Sequence, residues 1–424
     1  MLDEGRQFSN VALNKAATQS SRSIWSVGTT IEEDARVANN GDLLSAISFH
    51  TADEASPWWQ VDLGGPFAIK QIRIYNRRDQ ASRLRRFTIL VSESGEPESW
   101  LAIGAKADDS VFGGTDDAPY VVKPADTYLA RFVRVRKDGG GFLHFRECEI
   151  IGYSPSLAEV QTLRDKTEDK KRRGIDETAQ RERSLVEGRK GFVAYIDANA
   201  IFVDTENYTK KLVNALTSGI YEGRERKVLA NCLLSKDRVL EVGTALGAVS
   251  MAVARLIGPD RVMTFDANPA MVADARRNFA ANGFSAISAN VGVLRNRSRW
   301  RPSEREIDFF VSKDFWASRL FARPDAPDIV RVVKAPLVRL EDKIAEHKAN
   351  VLVCDIEGGE IDLLLEADLD SVRLIMMEIH PWMTGREPIN KMIRYLVTKG
   401  FDINFRETGS DVIVLDRVLE NGKA

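Results

Sequence analysis

RVLEVGTALGAVS, residues 238–250, decides the fold of the C-terminal half. Val239 and Leu240 begin an apolar strand, Glu241 and Gly243 stand at its end, and Gly247 opens the helical run AVSMAVARLIG. Glycines at a strand-to-helix turn let the backbone approach a ligand closely and leave helix N-terminal amides facing it. The next strand, RVMTF, ends in Asp266, about 20 residues on, where an acidic side chain can take both hydroxyls of a ribose.

Outward from this turn, strands alternate with helices after residue 190: AMVADARRNFAANG, NVLVCDIEG, LIMMEIH and INKMIRYLVTKG follow in turn. Strands as apolar as VLVC and LIMM suit the buried centre of a parallel sheet covered on both faces. A doubly wound α/β domain is expected over residues 191–424. A nicotinamide dinucleotide site wants Gly-x-Gly-x-x-Gly, whereas this chain has Glu-x-Gly-x-x-x-Gly. An acid there repels a pyrophosphate but can face the cationic amino-acid end of S-adenosylmethionine, so a methyltransferase is the better reading.

Residues 1–155 have another texture. WWQVDLGG, AIKQIRIYN, RRFTILVSESG, YLARFVRVRK and ECEIIGY are short strands between turns, with apolar and charged residues alternating in IKQIRIY and ARFVRVRK. That period belongs to sheets with one buried face, and an all-β sandwich is expected. Between the two lies a charged stretch, 156–190, with high helix propensity and no sustained apolar stripe. It reads as a solvated helical linker interrupted near Gly174. A short coiled coil joining two subunits into a homo-oligomer is the alternative, though Leu157, Val160 and Leu163 do not sustain enough heptads.

The bulk numbers narrow the classes. The 60 Lys+Arg nearly cancel 62 Asp+Glu, leaving a formal charge of −2, which gives nucleic-acid binding no support. Cys148, Cys232 and Cys354 are odd in number and far apart, which makes neither a disulfide framework nor a zinc site. The polar start MLDEGRQFSNVALNK lacks a signal-peptide core and no run is apolar enough to span a bilayer. A reduced, cytoplasmic setting without a membrane span is expected.

The set NYTKKLVNALTSGIYEGRE, VLEVGTALG, FDANPAMVADARRNFAANG, CDIEGGEIDLL and MEIHPW resembles the FkbM-type methyltransferases. Its most specific element is Asp355-x-Glu357-Gly358-x-Glu360. The resemblance implies S-adenosylmethionine as donor and a carbohydrate or polyketide hydroxyl as acceptor. It further implies that Glu241, Gly243 and Gly247 line the methionine part, Asp266 holds the ribose and Asn290 the adenine, and that Tyr221, Glu222 and Glu225 cap the donor. Asn268 and Asn282 read as helix-end residues, Asn-Pro opening a helix and Asn-Gly closing one.

Ligands in such sheets meet at the carboxyl ends of the strands, which places Asp355, Glu357, Glu378 and His380 together. Methyl transfer to an alcohol needs a base, and a histidine beside carboxylates is poised to be one. His380 is the candidate catalytic base with Asp355 and Glu357; a bond to a backbone carbonyl near Pro381 is the competing role. Asp355 and Glu357 could instead hold Mg²⁺ at the acceptor site. Trp316 and Arg319 in DFFVSKDFWASRLF are either part of an acceptor platform or core.

The landmarks NVALNKAATQSS, PWWQVDLGG, IKQIRIYNRRD, RLRRFTILVS and RFVRVRKDGGGFLHFRECEIIGY resemble the discoidin, or coagulation-factor C-type, domain. That family is a galactose-binding-like jelly roll, and fucose-binding lectins within it use an H…RxD…R set. His50, Arg77-Arg78-Asp79 and Arg83 stand in that order here, with the last gap one residue short. Sugar binding by His50, Arg77 and Arg83 is what the resemblance implies, as is a structural Ca²⁺ at Asn40, Asp42 and Glu147; a plain Asn-Gly-Asp turn is the alternative. The resulting expectation is a sugar or glycan O-methyltransferase with a carbohydrate-binding module. The other readings are methylation of protein or small molecules beside a docking sandwich, or an inactive adaptor.

Overall fold

In a computed structural model, the structure describes residues 7–44, 48–106, 111–114, 117–138, 140–320, 322 and 326–417, apart from the Trp316 side chain. The chain divides into two compact units, Met1–Glu177 and Thr178–Ala424.

The first unit is an antiparallel β-sandwich organised by the long strand Trp58–Tyr75. Its early part pairs with Ala16–Gln19 and Tyr128–Lys137; after a register shift between Asp62 and Phe67 it pairs with Glu147–Tyr153 and Tyr120–Val122. Gly64, at φ +82°, supplies the backbone conformation for that bend. Alternate residues Trp59, Val61 and Leu63, then Ile72 and Ile74, are fully buried against Phe87, Ile89, Val133 and Val135. Each such aliphatic or phenylalanine side chain contributes about 1.5–3 kcal/mol. The indole of Trp59 keeps its donor satisfied on the Ala35 carbonyl, 2.8 Å away.

A single helix, Leu157–Val186, runs through Gly174 without the expected interruption. One glycine costs a helix only about 1 kcal/mol, and its neighbours here are strong helix formers. Leu163 packs on Ala68, Leu129 and Tyr153, and Leu185 on Ala200 and Phe202.

The second unit is α/β. Its sheet comprises β1 (Val239–Val242), β2 (Val262–Asp266), β3 (Ser288–Val291), β4 (Val351–Cys354), β5 (Leu374–Glu378), β6 (Asp402–Ile403) and β7 (Val412–Asp416). The order is β3-β2-β1-β4-β5-β7-β6, parallel throughout except for β7, so the sheet is mixed. Side chains alternate between two cores. Val239, Val353 and Met376 face helices Ala248–Ile257 and Pro269–Ala281, while Leu240, Val242, Leu352 and Met377 face Leu340–His347 and Arg386–Thr398. Strand order reverses between β1 and β4, which opens a crevice beyond their carboxyl ends. Between β3 and β4 an inserted three-stranded sheet, Val293–Arg295, Glu306–Ser312 and Ile329–Arg339, is the other wall. Among the described residues no helix is long and apolar enough to cross a membrane.

Candidate functional site

The crevice is a partly enclosed cavity with a mouth open to solvent. Tyr221, Glu222, Gly243, Asp266, Asp355 and Glu357 line it, so six of the expected donor and catalytic residues meet in one cavity.

Both glycines of the turn have steric reasons. A Cβ on Gly243 would lie 1.9 Å from the Asp355 carbonyl oxygen, and φ there is +102°. On Gly247 it would lie 2.3 Å from the Phe279 ring, so this glycine serves helix packing rather than the cavity wall. Asp266 accepts the amides of Ala245 at 2.9 Å and Asn268 at 2.8 Å, one on each oxygen. Asn268 caps the helix Pro269–Ala281, and Asn282 ends it while its amide nitrogen donates to the Ala200 carbonyl.

Glu241 and Asn290 stand back from the cavity. Glu241 is 2% exposed and accepts the Ser250 hydroxyl. Asn290 turns its amide nitrogen to the Ser288 carbonyl and hydroxyl at 3.0 and 3.1 Å, and Gly292, Val293 and Leu294 line the wall at that end instead. Glu225, in the first turn of helix Gly223–Cys232, also lies outside the lining.

The loop after β4 explains its own motif. Glu360, buried, accepts the amides of Ile356 at 3.2 Å and Gly358 at 3.3 Å, which pins the loop. Gly358 stands at φ +89°, which glycine adopts freely, and a Cβ there would lie 2.8 Å from the Met383 sulfur of the turn Pro381–Thr384. Asp355 and Glu357 are left facing the crevice. Glu357 does so at φ +50°, and Glu222 and Ala245 share that left-handed conformation at 48° and 43°. Non-glycine residues held there concentrate at functional sites.

His380 sits behind this loop rather than on the cavity. Its side chain is 1% exposed, with Nε2 at 3.3 Å from Glu357 and 3.9 Å from Glu378, and Nδ1 at 3.4 Å from Glu360. Burial alone would lower its pKa, but Glu360 and Glu357 outweigh it and hold it above the usual value. Ligand atoms of Asp355, Glu357 and His380 all lie within 4.8 Å of one another, close enough to share a metal ion.

Carboxyls crowd the crevice and the strand ends behind it. Burial pushes Glu222 up to about 8, Glu241 and Glu357 to about 7 and Asp266 to about 6, and Asp355 well above the usual range. Neighbouring acids add to each except Asp266. One Glu222 oxygen is buried without a hydrogen-bond partner. The aromatic stretch around residue 315 contributes Phe309, Phe315, Ser318 and Leu320 to the opposite wall. Arg319 is spent on Asp328 at 2.6 Å, and the Trp316 side chain lies outside the described residues.

In the sandwich, the His50 ring is buried beside those of Phe142 and His144, at 5.0 and 5.1 Å. Its Nδ1 lies 2.9 Å from the Thr51 carbonyl. Arg77 forks onto Asp79 at 2.9 and 2.7 Å, and Arg83 is exposed on the turn Ala81–Arg83. Burial depresses His50, and the charges of Arg77 and Arg83 press in the same direction. His144 is the residue that sequence reasoning missed. It is fully buried, neither ring nitrogen has a partner, and burial with Arg77 pushes its pKa down to about 3.

Glu147 is fully buried, its carboxylate turned toward the Gly41 and Asn40 amides. Burial, with Glu149 and Asp42 adding, raises it to about 7. Asn40 and Asp42 make a local turn in which Asn40 accepts the Asp42 amide at 2.8 Å and Asp42 accepts that of Leu44 at 2.9 Å.

Comparison with known proteins accords with this division. Residues 38–135 match the NedA-like, galactose-binding domain of the F5/F8 type C group, and residues 241–403 match the methyltransferase FkbM domain. The chain thus carries a galactose-binding-like domain followed by an FkbM methyltransferase domain. Among solved structures it is similar to a fucolectin from striped bass (Morone saxatilis) serum, at 28% identity over 35% of this chain and 50% of that one, TM-score 0.31. The chain therefore spans half the length of that lectin. It is also similar to the lectin domain of lectinolysin complexed with Lewis B antigen, at 27% identity over 34% and 95%, TM-score 0.27. A fucose binding module of Streptococcus pneumoniae is 22% identical over 35% and 99%, TM-score 0.27. No curated protein matches the chain.

Proposed function

We propose that this chain, a methyltransferase with a galactose-binding-like domain, transfers the methyl group of S-adenosylmethionine to a hydroxyl of a sugar or glycan. The observation that carries the donor is the acid-lined crevice at the carboxyl ends of β1 and β4. A cavity whose carboxyls are pushed up by burial and by one another favours a cationic ligand and disfavours a polyanionic dinucleotide. Asp266 would take the ribose hydroxyls, Gly292 to Leu294 the adenine, and Glu222 with Asp355 the cationic amino-acid end. When bound, the donor supplies an electrophilic methyl; the chain's own work is to orient the acceptor and remove its proton.

Glu357 suits that second task, because it reaches the cavity and its pKa is close to neutral. His380, the base expected from the sequence, is shielded from the cavity and would act through Glu357 as a positioning residue. A divalent ion on Asp355, Glu357 and His380 fits the donor atoms; one imidazole among them suits Mn²⁺ or a similar ion better than Mg²⁺.

For the sandwich, His50, Arg77 and Arg83 are proposed to hold the glycan, with the unpartnered imidazole of His144 alongside. Glu147, a buried carboxylate beside the Asn40–Asp42 turn, is proposed to hold Ca²⁺ with Asn40 and Asp42. The free cysteines suit a reducing, cytoplasmic setting. The test is incubation of the full chain with labelled S-adenosylmethionine, fractionated polysaccharide and protein extract. Label in glycan supports the assignment, and label confined to protein refutes the acceptor class.

A further inference from the structure

Among the described residues five carboxylates line the crevice, and the chemistry above gives tasks to Glu222, Asp266, Asp355 and Glu357. Asp362 is left over. It stands on the short helix Glu360–Leu364, where Glu360, Leu363 and Leu364 are buried while the Asp362 side chain is 47% exposed.

A buried asparagine fixes its place along the crevice. Asn296 donates its amide nitrogen to the carbonyls of Asp362, Leu363 and Leu365, at 3.0, 3.2 and 2.7 Å, and its oxygen accepts the Arg299 amide at 3.0 Å. The strand Val293–Arg295 ends one residue before Asn296, so Asp362 is tied to the end of the cavity that Leu294 and Arg295 line. Arg299 approaches the Asp362 carboxylate at 3.4 Å, and Arg295 is engaged by Glu304.

Between this end and Asp266 the wall is apolar. The Gly292 amide donates to the Asp266 carbonyl at 2.9 Å, which sets the following strand beside Asp266. Ala267, Val293, Ile307, Phe309 and Leu320 belong to one packed cluster and line the cavity there. A ribose held at Asp266 would therefore send its base into an apolar slot with a carboxylate at the far end. Such a slot suits a flat purine that carries a donor on its edge. An ionised carboxylate only accepts, and the exocyclic amine of adenine donates.

We propose that Asp362 reads the donor's base by accepting a hydrogen bond from the exocyclic amine of adenine. Asn290, expected there from the sequence, has its amide nitrogen turned to Ser288 instead. The assignment rests on the S-adenosylmethionine reading given above.

The test is calorimetry on the full-length protein with S-adenosylhomocysteine and with its analogue in which hydrogen replaces the 6-amino group. Wild type should bind the amine-bearing ligand more tightly by roughly ten- to a hundredfold, as expected for a charged hydrogen bond. Asp362→Ala should weaken S-adenosylhomocysteine by about that factor and leave the analogue's affinity unchanged, so that the preference disappears. Asp362→Asn keeps an acceptor oxygen and should restore most of it. Equal losses for both ligands in Asp362→Ala would mean that the residue only shapes the loop, and overturn the proposal. So would a wild type indifferent to the amine, or a preference that survives in Asp362→Ala. Folded wild type that binds neither ligand overturns the donor reading instead, and needs no variant to be recognised.

Discussion

Replacing Glu357 by glutamine keeps the size of the side chain and removes its ability to take a proton. The wild-type carboxyl is raised to about 7, first by burial and then by Glu378 and Glu360, against a lowering by His380. A base must be ionised to work, so kcat/KM should fall about tenfold per pH unit below about 7 and level off above it. An unperturbed glutamate, near 4.3, would leave the profile flat across this range. Glu357→Gln should lower turnover by about two to four orders of magnitude and abolish the acid limb, the usual contribution of a positioned base.

His380→Gln separates the two candidate bases. With the imidazolium gone, Glu357 loses the nearer of the positive groups that favour its ionised form, His380 at 3.3 Å, while Arg319 remains, so the acid limb should move to higher pH and persist. If His380 were itself the base, the limb would vanish in that variant. Initial rates from pH 5.5 to 9 under saturating donor, with single-turnover controls, decide between them. A flat wild-type profile, or an acid limb unchanged in Glu357→Gln, refutes the assignment.

Donor binding near pH 7 should release on the order of one proton, because a cationic ligand draws protons from carboxyls such as Glu222, raised to about 8. Calorimetry in buffers of different ionisation enthalpy measures it, and zero release speaks against a cationic ligand. Gly243→Ala should already destabilise the fold and weaken donor binding, since its Cβ would lie 1.9 Å from the Asp355 carbonyl. Without calcium, Glu147, raised from 4.5 to about 7, makes stability fully present below the unfolded pKa and lost as pH rises through about 7, by ~3 kcal/mol in all. Glu147→Gln should remove that loss; Ca²⁺ at about a hundred times its Kd should raise wild-type stability by about 2.7 kcal/mol and leave the variant's melting temperature unmoved. On a glycan array, Arg77→Ala should weaken any fucose or galactose signal of the full chain by ten- to a hundredfold, in keeping with a charged hydrogen bond; an equal signal would free the sandwich from a sugar role.

The architecture was readable wherever one physical demand dominates. Alternation in IKQIRIY and ARFVRVRK marks a half-buried sheet, and the continuous apolar runs VLEV and VLVC mark strands buried on both faces, because each pattern has one economical way to hide its apolar surface. Gly243 has an equally direct reason: a Cβ there would lie 1.9 Å from the Asp355 carbonyl oxygen. What escaped depends on how separate segments meet. His144 lies between the core residues Leu143 and Phe145, so alternation alone puts it outward, yet the ring is covered together with His50. Asn290 follows its strand to the expected place, but the nearby Ser288 hydroxyl offers its amide a partner away from the cavity.

His380 shows the limit most clearly. Strand-end position brings it to the right cluster, and four histidines in the chain make it conspicuous. Whether a strand-end side chain touches the ligand or stands one layer behind is set by the next loop to pack there. Here the Gly358 cradle admits Met383, the turn closes, and the imidazole is sealed behind Glu357. The same closure leaves Trp382 exposed and in contact with the imidazole. Filling the cradle with an alanine at Gly358 should therefore disturb the His380–Glu357 pair: the acid limb should shift, with donor affinity less affected. An acid limb that stays in place would show that the turn does not hold the pair.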